Sequence, residues 1–366
     1  MREGRTPDAA REAAVLDRIE AFRRRAPRLP EDRVTLAHGA GGKSSAALLE
    51  TVFLPAFRSG DAPSELADAA VLASAGGARL AFTTDAYVVR PLRFPGGSLG
   101  HLAVHGTIND LAMVGARPLG LSAAFVLAEG LPLAVLRDVV ADMAEAAARA
   151  GVPIVAGDTK VVDAGAADAL FVTTSGVGAV PAGRALAASR VEAGDVVLVS
   201  GPIAEHGIAV MLARGDLAIE ADVRSDTAPL HGVVEALLAA APGTRWLRDA
   251  TRGGVGTVCN ELARDSDLTV VLDEDRLPVR PVVAGACELL GIDPLHVANE
   301  GRFVAVVPAG QADAALAALR AHPLGRGADA VGEIRSEPRG LVVLVTALGG
   351  TRIVDMLVGD PLPRIC

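Results

Sequence analysis

Hydrophobic positions in this chain fall into short runs broken by Gly, Pro and acidic residues, and their spacing switches repeatedly between the periods of strand and helix. From Val34 onward, Leu80 to Thr84, Val152 to Ala156 and Leu170 to Thr174 predict strands, the last two on either side of an Asp158 loop. Leu133, Leu136, Val140, Met143 and Ala147 recur at helical spacing, and Gly151 followed by Pro153 predicts the stop. A second series starts at Gly194-Asp195, with strands predicted at 196–200, Thr269 to Leu272, Phe303 to Val307 and Leu341 to Val345. This alternation predicts an α/β chain whose first domain covers 33–185 and whose second covers 190–348, with the boundary near 180 to 194. Residues 1–32 are helix-prone, Arg-rich and closed by Pro27 and Pro30, so they read as an N-terminal extension. Residues 349–366 show no periodicity, and Pro361 and Pro363 favour extended backbone, which predicts a mobile tail ending in Cys366.

Composition narrows the classes. The 366 residues are 51% apolar, enough for about two hydrophobic cores. Mean hydropathy is high at +0.37, yet no apolar run reaches the roughly 18 residues of a membrane helix. The N-terminus mixes acids and bases and lacks a signal-peptide core, so a cytoplasmic protein is expected. With 35 basic and 44 acidic side chains the net charge is −9, which argues against nucleic acid or an anionic membrane as partner. Cys259, Cys287 and Cys366 form no CxxC pair and read as reduced thiols.

Several clusters carry candidate chemistry. In AHGAGGKSS at 37–45, Gly39, Gly41 and Gly42 offer bare amides between an expected strand and helix. Gly42-Lys43-Ser44 nearly completes a Walker A motif, but Ala37 replaces its first Gly; a structural turn, a phosphate cradle and a P-loop all stay open. Asp85, Asp110 and Asp158 follow apolar runs and are expected at strand ends, where ligands bind in α/β sheets. Together they suit Mg²⁺, with Thr84, Asn109 and Thr159 as neutral oxygen ligands or donors; each alone is equally a cap or turn residue. Lys160 in an apolar stretch calls for an anion, a phosphate or one of these carboxylates. Asp249 and Arg252 before Gly253-Gly254 suggest a second anion site at a helix start. Glu300, between Asn299 and Gly301 just before a strand, is a base, a ligand or a turn acid. His206 beside Glu205 reads more as a cap or surface contact than as a tuned imidazole, and Cys259 and Cys287 as buried small hydrophobes. Cys366 places a thiol at the end of a long arm, a carrier or an accident of the terminus.

The ordered series AHGAGG, FTTDAYVV, PLRFPGGSLG, GTINDLAMVGARP, GDTKVV, DATRGGVG, ANEG and terminal PRIC resembles the HypE family of hydrogenase maturation factors, from about His38 to Cys366. That family is similar in turn to aminoimidazole ribonucleotide synthetase, thiamine-monophosphate kinase and selenophosphate synthetase. The resemblance implies a two-domain fold of that type, ATP bound without a P-loop, and a homodimer whose N-terminal domains share a β-barrel. It implies ATP-dependent dehydration of a carboxamide on Cys366 to a thiocyanate. Mg²⁺ would sit on Asp85, Asp110 and Asp249, with help from Asp158, while Glu300 acts as base and Lys160 stabilises the phosphoryl group. The implied partners are the carbamoyltransferase HypF and the HypC-HypD scaffold. Two other readings are weighed: a small-molecule amide-phosphorylating synthetase, which has no use for Cys366, and a non-catalytic nucleotide-binding scaffold. A selenophosphate synthetase is disfavoured because the first glycine loop has no Cys. Two features depart from the family pattern: Ile203-Ala204-Glu205-His206 stands where Gly-Asp is expected before His, and the N-terminal extension is long.

Overall fold

A computed structural model describes residues 33–39, 41–57, 67–74, 77–215, 221–357, 359 and 364–366. The expected extension at 1–32 lies outside them. The first half runs α1 (Lys43–Leu48), α2 (Leu54–Phe57), β1 (Ala70–Ala73), β2 (Arg79–Tyr87), β3 (Arg93–Phe94), β4 (Gly97–Ser98), α3 (Leu99–Met113), β5 (Arg117–Ala128), α4 (Leu133–Ala150), β6 (Ile154–Val162) and β7 (Leu170–Val180). The second runs β8 (Val196–Val199), α5 (Glu205–Arg214), α6 (His231–Ala240), β9 (Trp246–Asp249), α7 (Gly254–Ser266), β10 (Thr269–Asp273), α8 (Pro281–Leu290), β11 (Phe303–Val307), α9 (Ala312–Ala321), β12 (Asp329–Arg335), β13 (Val342–Val345) and β14 (Thr351–Ile353).

The first sheet has the order β1-β2-β7-β5-β6, antiparallel except for the parallel pair β5 and β6. Helix α4 forms where the spacing predicts it, burying Val139, Met143 and Ala147, and ends at Gly151, whose φ of 67° is the left-handed cap that glycine tolerates best. Helix α3 is apolar nearly all round and lies buried between the domains. The other face of the sheet is open: Phe82, Leu119, Val155 and Val177 line a shallow apolar hollow there.

The second sheet has the order β14-β13-β10-β12-β8-β11-β9. Its central strands are covered on both faces, which is why they read as unbroken apolar runs. In β11, Val304 and Val306 join the core under α7, while Phe303, Ala305 and Val307 join the one under α6 and α9. A further core unites α3, α4, α5 and α8 and includes Ile365.

Three local expectations are corrected. Leu36–Gly39 before the glycine cluster is a 3₁₀ turn, not a strand. The stretch expected as an Asp158 loop continues as β6 to Val162, because β5 supplies a ladder partner for every residue from Ala156 onward. The tail keeps sheet structure past residue 348: Thr351–Ile353 pair with β13, and Val354 is buried with its amide donated to the Val342 carbonyl. Exposed side chains on β14 hide this strand from a periodicity reading.

Candidate active site

An acidic centre forms where β2, α3 and β9 meet beside the loop before β1. Asp68, Asp110 and Asp249 each place a carboxylate oxygen within 4.8 Å of the others. Thr83 Oγ1 donates to Asp110 Oδ2 at 2.7 Å, and Arg248 Nη1 pairs with Asp68 Oδ1 at 2.6 Å. Burial, reinforced by the neighbouring carboxylates, raises Asp110 and Asp249 well above the usual carboxylate range. Asp68 is raised by burial against the opposing pull of Arg248. Three carboxylates, Asp249 buried and Asp68 and Asp110 half-buried, with one guanidinium fit a hard divalent cation, which would relieve this repulsion. Asp85, on the same face of β2 as Thr83, adds to the negative field and is itself raised by the surrounding protein.

The C-terminus enters this centre. Val88 N–H donates to the Cys366 carboxylate at 3.0 Å and Arg90 N–H to the Arg364 carbonyl at 3.2 Å. Ile365 is buried in the inter-domain core, worth about 2 kcal/mol for a side chain of its size. Arg252 Nη2 donates to Cys366 Sγ at 3.0 Å, and the Arg252 side chain lies against Gly41, where an added Cβ would sit 3.0 Å from Cγ. Burial pushes the Cys366 thiol up to about 12, Arg252 opposing and Glu300 and Asp85 adding. Glu300 is 3% exposed, and its buried Oε1 has no hydrogen-bond partner among the described residues. Burial, then Asp249, Asp85 and Asp226, raise its pKa well above the usual range.

The structure therefore brings together Cys366, Glu300, Arg252, Asp85, Asp110 and Asp249. Among these, Asp110 stands on helix α3 rather than at a strand end. Asp158, Thr159, Lys160 and Thr84 lie apart. Asp158 and Lys160 pair with each other at 2.7 Å on edge strand β6, their side chains 64% and 69% exposed, and Lys160 holds Asp158 below the ordinary carboxylate range. Their register with Ala124 and Val126 sets them and the intervening Thr159 on a strand three positions from β2, about 14 Å away at normal strand spacing. Thr84 bonds Ser175 on the open face, opposite to Asp85. Both ends of the Asn109 amide serve the second domain's backbone: Oδ1 accepts from Leu230 N–H and Nδ2 donates to the Ala228 carbonyl. Gly39 and Gly42 flank a loop fastened to the tail, since Lys43 N–H donates to the Leu357 carbonyl and Lys43 Nζ to Asp355. Gly253, φ 83°, precedes α7 and sets up the turn that holds Arg252.

Sequence reasoning missed Asp68, although its place just before an apolar strand is the signal that singled out Glu300. It also underrated His206, which is fully buried and bonded to the tail at Ile365. Cys259 and Cys287 are buried as expected.

Residues 66–180 match the family model described as AIR synthase related protein, N-terminal domain, and residues 192–345 match its C-terminal domain. A carbamoyl dehydratase HypE of Rhodobacter capsulatus is 55% identical over 342 residues, 92% of this chain and 99% of the relative. The chain belongs to the HypE family. Among solved structures, a HypE–HypF complex superposes with a TM-score of 0.80 at 44% identity, covering 85% of this chain and 100% of that one. A HypE in complex with ATP superposes at 0.76 with 45% identity, covering 91% of this chain and 100% of that one. These HypE neighbours carry the two-domain α/β architecture described above. Among the described residues, no helix is long and apolar enough to cross a membrane.

Proposed function

We propose that this chain is an ATP-dependent carbamoyl dehydratase that converts a carboxamide held on its own Cys366 into a thiocyanate, with ADP and phosphate as the other products. The observation that carries the reading is the position of Cys366, whose sulfur meets Arg252 inside the acidic centre beside Glu300. An amide oxygen leaves poorly. When it attacks the γ-phosphorus of ATP, ADP departs, the nitrogen gives up the first of its two protons to solvent, and an S-linked iminophosphate forms. Loss of the remaining nitrogen proton then drives C–O cleavage, leaving S–C≡N and inorganic phosphate. Glu300, with a free carboxylate oxygen and a raised pKa, takes that proton. Arg252 steadies the sulfur and the developing anion.

The high pKa of the docked thiol supports a division of labour. A thiol held near 12 is protonated at neutral pH and is a poor nucleophile, so the docked position suits the second reaction, on a sulfur already carbamoylated. Asp68, Asp110 and Asp249 would hold Mg²⁺, which when bound neutralises phosphate charge. Gly41 lies against the Arg252 side chain and Gly253 follows it in the chain, and with Gly39 and Gly42 they would give the nucleotide phosphates an approach free of side chains. Thr84, Asp158 and Thr159 have their contacts elsewhere and take no part within one chain, while Asn109 holds the backbone at Ala228, Leu230 and Glu300.

In this reading HypF supplies the carbamoyl group, a HypC-HypD complex receives the cyanide, and the protein works as a homodimer in the reducing cytoplasm. The open apolar face of the first sheet and the unpaired edge of β6 support the dimer. Lys160 then acts on the phosphoryl group of the other subunit's site, since within one chain it is too distant.

Intact mass spectrometry with the carbamoyl donor and ATP tests the proposal. A gain of about 43 Da falling to about 25 Da, absent in Cys366→Ala, is expected from formula masses for a carbamoylated and then dehydrated thiol. An unmodified thiol with an active donor would overturn it and return a non-catalytic scaffold; full ATP turnover on a free amide by Cys366→Ala would indicate a small-molecule synthetase.

A further inference from the structure

We propose that helix α5 is a clamp for the C-terminus, with His206 and Arg214 as positioning residues that set Cys366 in the site. This rests on Cys366 being the reacting residue. His206 stands in the first turn of the helix and Arg214 is its last residue. His206 Nε2 lies 2.7 Å from the Ile365 carbonyl, and Arg214 Nη2 lies 2.7 Å from the Arg364 carbonyl. A carbonyl only accepts, so His206 carries its proton on Nε2, and its Nδ1 accepts from Ser225 Oγ at 2.8 Å. Ser225 is itself fixed, donating its amide to the Pro95 carbonyl and accepting from Thr227 N–H. Phe94 packs edge-on against the imidazole with ring centroids 5.4 Å apart. Arg214 also reaches the Arg90 carbonyl through Nε, tying the tail to the backbone segment that pairs with it.

Together with the amides of Val88 and Arg90, these side chains satisfy the backbone oxygens of all three terminal residues. The clamp therefore grips the peptide backbone and leaves the sulfur untouched. It holds equally well whether Cys366 carries a thiol, a carboxamide or a thiocyanate, so one docking geometry serves substrate and product. Specificity for the chemical state falls to Arg252, which donates to the sulfur, and to Glu300, whose charge acts on it.

The test uses full-length protein and the variants His206→Leu, His206→Gln and Arg214→Gln. Iodoacetamide labelling of Cys366 is followed by intact mass, and conversion of carboxamide to thiocyanate is measured in a single turnover. A buried carbonyl left without its donor should undock the tail enough to speed alkylation and slow dehydration by about tenfold each in His206→Leu. Carbamoyl transfer onto Cys366 should not slow. His206→Gln, which restores an N–H donor to Ile365, should recover most of both rates, an outcome general loosening of the fold would not give. Arg214→Gln, on a half-exposed residue, should shift both rates the same way by a smaller factor. Unchanged alkylation and dehydration in His206→Leu and Arg214→Gln, with unaltered thermal melting, would overturn the clamp. If wild-type protein forms no thiocyanate, the dehydratase reading falls, while the alkylation difference still decides the clamp.

Discussion

Two aspartate-bearing regions look alike in the sequence and differ in nearly every physical respect. The acidic centre gathers Asp68, Asp110 and Asp249 among buried neighbours, where mutual repulsion and desolvation raise their pKa values. The Gly157-Asp158-Thr159-Lys160 stretch lies on an edge strand in solvent, where Lys160 lowers Asp158. The first region is strained until something positive arrives, which marks a site. The second is content in isolation, and its chemistry requires a surface brought to it from outside. A carboxylate after an apolar run therefore does not reveal which kind it is; its strand neighbours do.

The most forceful way to break this contrast is to remove the base. Glu300→Gln should slow dehydration at least about 100-fold while carbamoylation of Cys366 continues, measured by single-turnover mass spectrometry. Full retained activity would dismiss Glu300 as base. Lys160→Met should come next, with turnover down about tenfold at saturating ATP and melting unchanged. Recovery at elevated ATP would move its role to nucleotide binding. Mixing Glu300→Gln with Lys160→Met subunits sharpens the point: if Lys160 serves the other subunit's site, mixed dimers contain one intact site and regain activity. Two inactive variants that stay inactive when mixed would show that Lys160 works within its own chain.

A smaller effect concerns stability. A carboxylate raised in the fold binds more protons than its unfolded counterpart once pH exceeds the unfolded value near 3.8, so stability is lost as pH rises through the folded value. Buried histidines whose pKa is lowered pull the other way as pH falls, so the informative quantity is the comparison with Asp249→Asn: without metal, wild type should lose more melting temperature between pH 5 and 7.5 than the variant does, and Mg²⁺ should narrow that gap. An identical pH dependence in wild type and Asp249→Asn without metal would contradict the assigned strain. The smallest expected change is at Ala204, a non-glycine residue at φ 72°. Ala204→Gly should raise the melting temperature by about 1–2 °C, relief of the left-handed strain slightly exceeding the lost buried methyl.

Much of the fold was legible because its signals are local. β11 is buried on both faces and reads as an apolar run, and α4 carries both its spacing and its glycine stop. Glu300, Arg252 and Cys366 were legible as residues with chemistry, and the structure adds that they meet. What stayed hidden depends on long-range pairing. Asp158 looked like a loop acid because Gly157 precedes it, yet the β5 ladder makes it a strand residue. Asn109 looked like a ligand, yet both ends of its amide are used more than a hundred residues away. His206 looked like a cap or surface contact, yet it is buried and its partner is the carbonyl of Ile365 at the far end of the chain.

The central claim is that Cys366, docked beside Glu300, becomes a thiocyanate by this chain's own use of ATP. Infrared spectroscopy of the protein after carbamoylation with ¹³C-labelled donor reads that bond directly. The account predicts a nitrile stretch that appears only after ATP is added, shifts with the label and is absent from Cys366→Ala. A carbamoylated protein that consumes ATP without developing that absorption would contradict it.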